Sequence, residues 1–200
     1  MSAWSRKSGS DPDFPKRCAW PTNPLAIRYH DREWGVPVRD DRKLFEFLIL
    51  EGAQAGLSWD TILAKRENYR QAFDGFDPRK VAKYTARKKQ SLMKNAGIVR
   101  NRLKIESAVV NAKCFLALQK EYGSFSAFLW QYVNDRPIRN THRSASTIPA
   151  RTEISDALSK DLKARGFKFV GSTIMYAFMQ ATGIVNDHLE GCFCHGKARK

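Results

Sequence analysis

The sequence predicts an all-α fold. Apolar residues recur at helical spacing along most of the chain, strict alternation over five or more residues is hard to find, and helix-starting and helix-stopping residues bound the periodic stretches. Asp40 or Asp41 caps a helix running through Leu44, Phe45, Leu48 and Ile49 and ending near Gly56. Ser58 or Asp60 opens the next, through Leu63 and Tyr69 to Phe73. Asp77-Pro78 starts a short helix through Val81, because proline at the first helical position gives up a donor that has no helical partner. Lys88–Met93 is helical, Ala96-Gly97-Ile98 turns, and a long helix follows in which Ile105, Val109, Ala112 and Leu116 share a face before Gly123. Ser124 caps an aromatic helix from Phe125 to Val133. Asn134–Arg151 is polar, holds two prolines and lacks periodicity, so it is expected to be a long loop. Ser155 to Arg165, closed by Gly166, and the almost wholly apolar Ser172 to Thr182, closed by Gly183, are the last two helices.

At 200 residues and 42% hydrophobic content, the chain can bury a core as one compact domain or two small lobes. Residues 1–16 are expected to form a disordered basic arm without chemistry, and residues 17–200 the working domain. There is no run of about 18 apolar residues and no N-terminal hydrophobic stretch, so a soluble protein inside the cell is expected. In that reducing setting Cys18, Cys114, Cys192 and Cys194 read as thiols or metal ligands, with Cys114 ordinary packing on the long helix. The net charge of +15 suits a polyanionic partner, nucleic acid first, although charge alone also serves to keep a protein dispersed.

Leu50-Glu51-Gly52-Ala53-Gln54-Ala55-Gly56-Leu57-Ser58-Trp59 is the most informative stretch. At about 100° per residue, Leu44, Leu48, Glu51 and Ala55 share one narrow stripe, so Glu51 is aimed at the core. A buried carboxylate needs a cation, several donors or a proton. Two readings fit: a structural acid satisfied by backbone amides or a neighbouring arginine, or a functional acid awaiting a cationic ligand. Trp20, Tyr29, Trp34 and Trp59 cluster in the same neighbourhoods and suit either core packing or a stacking pocket for a flipped base.

Cys18 and His30 are separated by eleven residues and His188 and Cys192 by three, two halves of a Cys2His2 site that would clamp the ends of the domain together. Cys194 and His195 stand close enough to serve as alternative ligands, and unrelated thiols and histidines would give the same spacing; His142 carries no signal. A closed tetrahedral set is structural, since no position is left for water or substrate. In Lys88–Lys104 a Gly-containing turn feeds a basic helix. Free N–H groups at the helix start, with Arg100, Arg102 and Lys104, would make an anion site for a DNA phosphate, unless the hairpin is only a solvated basic one.

Arg17-Cys18-Ala19-Trp20, Tyr29-His30-Asp31-Arg32-Glu33-Trp34-Gly35-Val36-Pro37, Leu50–Trp59, Ala96-Gly97-Ile98 with its basic helix, Gly166-Phe167-Lys168-Phe169-Val170-Gly171, and Val185-Asn186-Asp187-His188 with Cys192 together resemble the 3-methyladenine DNA glycosylase I family, over nearly everything after Lys16. That family is a divergent branch of the helix-hairpin-helix glycosylases. The resemblance implies a two-lobed all-α fold with a hairpin near residues 86–112, a structural zinc joining the termini, and a base pocket between the lobes. It implies zinc at Cys18, His30, His188 and Cys192; base recognition by Glu51, the catalytic candidate, with Trp20, Tyr29 and Trp59; and DNA contacts from Gln54, Gly56, Leu57, Gly97, Arg100, Arg102 and Lys104. The implied partner is double-stranded DNA carrying an alkylated purine, met by a monomer in a bacterial cytoplasm. The implied reaction is hydrolysis of the N-glycosidic bond, without strand cleavage, since no lysine nucleophile stands out.

Two departures from the family pattern stand out. The Cys18–His30 spacing is one residue short, and Ala26 stands where members can carry an aromatic, which leaves substrate range open. Asp187 is the second carboxylate of interest and is expected to support the metal through its neighbour His188. A zinc-stapled DNA-binding module without chemistry and a glycosylase for another damaged base remain as competing readings.

Overall fold

The computed structural model describes residues 16–196 of the chain. Residues 1–15, most of the expected basic arm, and residues 197–200 lie outside the described residues. Lys16 belongs with the domain, its carbonyl accepting from the Phe193 amide.

The described residues are mostly helical, in nine α-helices with three short 3-10 turns: α1 (Pro24–Arg32), α2 (Asp41–Gln54), α3 (Trp59–Ala72), α4 (Pro78–Val81), α5 (Ala86–Lys94), α6 (Arg102–Tyr122), α7 (Phe125–Trp130), α8 (Glu153–Ala164) and α9 (Ser172–Ala181). Asp40, Ser58, Asp77 and Ser124 cap their helices as the sequence predicts, each through a side-chain oxygen that accepts a backbone N–H of the first turn. Three departures are informative. Helix α1 is not among the helices expected from the sequence, yet Asn23 caps it, Pro24 opens it, and Ala26, Tyr29 and His30 form its buried face. Helix α8 starts two residues before Ser155, because Thr152 and Ser155 cap each other reciprocally. The long loop 134–151 contains a two-residue strand, β1 (Ile138–Arg139), paired in parallel with β2 (Val185–Asn186).

Helix α2 is the centre of the molecule. All its residues from Leu44 to Ala53 are buried, and it packs against α3, α6, α7 and α9. Phe45 meets Phe115 edge-on at 5.1 Å and Phe115 stacks on Phe125 at 4.2 Å, tying α2, α6 and α7 into one aromatic core. Asp41, at the outer end of α2, accepts from the Phe125 and Ser126 amides, so its carboxylate also serves the N-terminus of α7.

A buried ionic cluster fixes the angle between α1, α2 and α3. The Arg66 guanidinium donates to both oxygens of Glu33 at 3.0 and 2.8 Å and to Glu46 at 2.6 Å, and lies over the Phe47 ring. Arg70 and Lys43 complete it at the surface. Separating such a buried pair leaves a charge uncompensated, typically costing about 3–5 kcal/mol, so the cluster resists re-orientation of α2.

Candidate functional site

A cavity of about 350 Å³ opens beside α2, bordered by Trp20, Tyr29, Trp34, Glu51, Gln54, Trp59, Ala145, Ile148, Ala177 and Gln180. Trp20 precedes α1, Tyr29 lies within it and Trp34 follows it, Glu51 and Gln54 lie in the last turn and a half of α2, and Trp59 opens α3. The rings are arranged as a lining: Tyr29 and Trp59 lie 5.4 Å apart and tilted, Trp20 meets Tyr29 at 6.2 Å and Trp34 at 5.3 Å edge-on. Sequence reasoning had singled out five of these residues and set Trp34 among their aromatic neighbours. It missed Ala177 and Gln180, hidden in a helix that reads as plain core, and Ala145 and Ile148, which reach the cavity only because the β1–β2 pairing folds the long loop back. Ala26 is fully buried and does not border the cavity, so its small side chain does not thin that wall.

Glu51 is 3% exposed, and its Oε2 is buried with no hydrogen-bond partner. Of the ways to satisfy a buried acid, arginine pairing is not the one used; Arg66 is taken by Glu33 and Glu46. Burial alone pushes the Glu51 carboxyl up to about 8, so near neutrality it is largely protonated. Trp59 Nε1, on the facing side, is also buried without a partner. Tyr29 is held well above its ordinary value, by burial first and then by the neighbouring Glu51. Two unsatisfied polar atoms in a ring-lined cavity are expensive to keep, and a guest with a donor or positive charge for Glu51 and an acceptor for Trp59 would satisfy both.

Behind the aromatic wall, Cys18, His30, His188 and Cys192 are all buried, with their ligand atoms within 4.8 Å of one another. Cys18 Sγ lies 3.8 Å from His188 Nδ1, and Cys192 Sγ lies 3.6 Å from the same atom and 3.5 Å from His30 Nε2. Tetrahedral coordination with metal–ligand distances of about 2.0–2.3 Å demands separations of about 3.3–3.8 Å. The remote ring nitrogens also fit: His30 Nδ1 lies 2.8 Å from Asp31 Oδ1 and His188 Nε2 lies 3.0 Å from the Trp34 carbonyl, so each ring donates outward and turns its lone pair inward. These four residues can hold a metal ion. The shorter Cys18–His30 spacing does not prevent their meeting. Cys194 is buried nearby and forms a second, three-membered group with His30 and Asp31; His195 instead meets the Asn140 carbonyl.

The expected support of the metal by Asp187 is corrected. Its carboxylate accepts from Tyr176 Oη, Gln180 Nε2 and Asn140 Nδ2 at 2.6–2.7 Å, so it braces the cavity wall. His142 Nε2 is 3.3 Å from the same carboxylate but lacks hydrogen-bond geometry. The two histidines of the Cys/His group are oriented by Asp31, itself clasped by Arg17 at 2.8–3.0 Å, and by the Trp34 carbonyl.

Gly56 ends α2 at φ +77°, a left-handed conformation suited to glycine, and leaves Leu57 41% exposed beside the cavity. Gly97 turns the α5–α6 hairpin where a Cβ would stand 3.0 Å from Asn68 and from Asn95 Oδ1. Arg100 and Arg102 are exposed, Arg102 beside Glu106 at 3.3 Å. Lys104 departs from its expected role: its ammonium donates to the Ala53 and Ala55 carbonyls, so in this structure it is not presented to a phosphate.

Fold and site together define an all-α protein with a ring-lined, acid-bearing cavity beside a basic helical hairpin. The chain belongs to the methyladenine glycosylase family, whose profile matches residues 19–195. It is 52% identical over 179 residues to a DNA-3-methyladenine glycosylase of Haemophilus influenzae, covering 89% of this chain and 97% of that one. A crystal structure of 3-methyladenine DNA glycosylase I superposes with a TM-score of 0.88 at 52% identity, covering 90% of this chain and all of that one. Another, a variant of 3-methyladenine DNA glycosylase I in complex with 3-methyladenine, superposes at 0.86 and 42% identity over 88% of this chain and 95% of that one.

Proposed function

We propose that this protein is a base-excision repair glycosylase that takes 3-methyladenine out of alkylated double-stranded DNA and hydrolyses its N-glycosidic bond. The observation that carries this reading is Glu51, a buried acid without a partner in a cavity walled by Trp20, Tyr29, Trp34 and Trp59. Methylation at N3 makes the nucleobase cationic and a good leaving group, so the site has to recognise charge more than to supply acid. At an effective dielectric near 20, a carboxylate about 4 Å from a positive charge gains roughly 4 kcal/mol before desolvation, and a neutral adenine offers no such gain. Glu51 and the rings hold the flipped base while water attacks C1′ of the sugar. Among the described residues no lysine borders the cavity, in keeping with a reading of hydrolysis without strand cleavage. A glycosylase for a neutral damaged base is disfavoured by the match of an anionic partner to a cationic purine. A binding module without chemistry has no use for an unpaired buried acid.

In this reading the hairpin with Gly97, Arg100 and Arg102 and the first turn of α6 meets the DNA backbone, while Gln54, Gly56 and Leu57 face the gap left by the flipped nucleotide. Cys18, His30, His188 and Cys192 would hold structural zinc, which when bound supplies rigidity and no open coordination position. In this reading the protein acts as a monomer in a bacterial cytoplasm; bacterial relatives support the setting. Among the described residues no helix is long and apolar enough to cross a membrane.

Because the free protein keeps Glu51 protonated up to about pH 8 and the cationic base needs its carboxylate, kcat/KM for 3-methyladenine excision should rise by up to tenfold per pH unit between 6 and 8 and then level. A flat profile across that window, measured with methylated duplex DNA, would remove Glu51 from charge recognition. Arg100→Ala should weaken duplex binding without regard to sequence and lower the slope of log Kd against log salt by about one; an unchanged slope would take the hairpin off the backbone.

A further inference from the structure

We infer that Lys104 is a positioning residue, which sets the register between the DNA-backbone contact and the base pocket and does not act as a phosphate ligand. The inference rests on the reading above, in which the hairpin meets DNA and Glu51 faces the base.

Lys104 is the third residue of α6, its amide capped by Asn101. Its Nζ reaches 2.8 Å from the Ala53 carbonyl and 2.6 Å from the Ala55 carbonyl. These belong to the last turn of α2 and the residue that ends it, and they flank Gln54, which borders the cavity. The carbonyls at a helix C-terminus lack intrahelical partners and carry the negative end of its dipole. A cation in the first turn of α6 stands at the wrong end of its own helix dipole, and the C-terminus of α2 is what makes the placement favourable.

At the turn of the hairpin itself, Lys65 Nζ donates to the Ala96 carbonyl, and the Val99 amide donates to Tyr69 Oη. Both run to α3. Lys104 runs to the segment that carries Glu51 and the Gln54–Leu57 loop, so through it a backbone phosphate seated on the hairpin is placed at a fixed distance from the acid. A misplacement of about 1 Å at a reacting centre can cost about 100-fold in rate.

The test is Lys104→Met, which keeps the aliphatic stem, compared with wild type in two measurements. One is single-turnover excision at saturating enzyme on duplex DNA containing 3-methyladenine. The other is the salt dependence of binding to a duplex carrying an abasic-site analogue. A positioning role gives a roughly 10- to 100-fold slower saturated rate with an unchanged salt slope. A slope reduced by about one with the saturated rate intact makes Lys104 a phosphate ligand and overturns the inference, as does no change in either. Should the variant not fold, a structure of the wild-type protein on the same abasic duplex decides: Nζ still on the Ala53 and Ala55 carbonyls supports it, and Nζ on a phosphate refutes it. A wild-type protein that fails to excise would instead strike the functional reading itself.

Discussion

Glu51→Gln should lose about 30- to 1000-fold in 3-methyladenine excision while gaining stability. The loss follows from the charge: about 2–4 kcal/mol of attraction to a cationic base is available to a carboxylate and not to an amide, and each 1.4 kcal/mol is tenfold. The gain follows from the same burial. The folded-state pKa of Glu51 lies near 8, above that of an unfolded glutamate. Folding therefore meets no penalty from this group below about pH 4.5 and a growing one as pH rises toward 8, where the unfolded chain has released a proton that the folded one keeps. Glutamine resembles the protonated acid and does not titrate, so the variant's stability advantage should widen between those values, reaching a few kcal/mol, and then stop growing. Chemical denaturation at pH 5, 7 and 8.5 beside excision assays is the measurement. Wild-type excision by the variant would refute the assigned role, and equal pH dependence of the two stabilities would refute the buried, unpaired state of the acid.

On the zinc reading, Cys192→Ser should release the metal and lower the melting temperature by about 2–4 °C for each kcal/mol of stability lost in a protein of this size. Cys192 Sγ contacts both histidines of the set, so its replacement removes a contact from each at once. The effect should spread to the pocket. Trp34 lies 4.6 Å from the His188 ring and its carbonyl receives the His188 N–H, while Trp20 lies 5.4 Å from His30. Tryptophan emission should therefore shift together with metal loss. Elemental analysis, thermal unfolding with and without chelator, and fluorescence test this jointly; a well-folded wild-type protein with no stoichiometric metal and a chelator-insensitive transition would defeat the site.

What the residues disclosed and what they withheld divide along physical lines. Helices α2, α3 and α6 were legible because an apolar stripe goes with a cap in α2 and α3 and with a terminating glycine in α2 and α6, and Glu51 was legible as a polar interruption of such a stripe. Helix α1 was not, since its buried face, Ala26, Tyr29 and His30, has the helical spacing but is built of one small and two polar-tipped side chains, which do not read as an apolar stripe. The Cys/His set is suggested by spacing, but its surroundings are not: Asp187 is next to His188 in sequence and turns away, and His188 is oriented by the Trp34 carbonyl from a distant segment, whereas Asp31, next to His30, does orient its histidine. Lys104 illustrates the same limit. Composition marks a lysine at a hairpin as a phosphate contact, and only the packing of α6 on α2 shows two carbonyls waiting for it. Ala145 and Ile148 depend on a two-residue strand pair, too short to leave a periodic trace.

The buried Arg66–Glu33–Glu46 cluster divides the molecule's cations into two populations. Exposed ones such as Arg100 are subject to ionic screening, whereas a guanidinium sealed between helices is screened far less. Moderate saline should accordingly detach the protein from nucleic acid long before it loosens the scaffold, so the grip on the genome can be adjusted by the ionic environment while the architecture that aims the acid stays as it is.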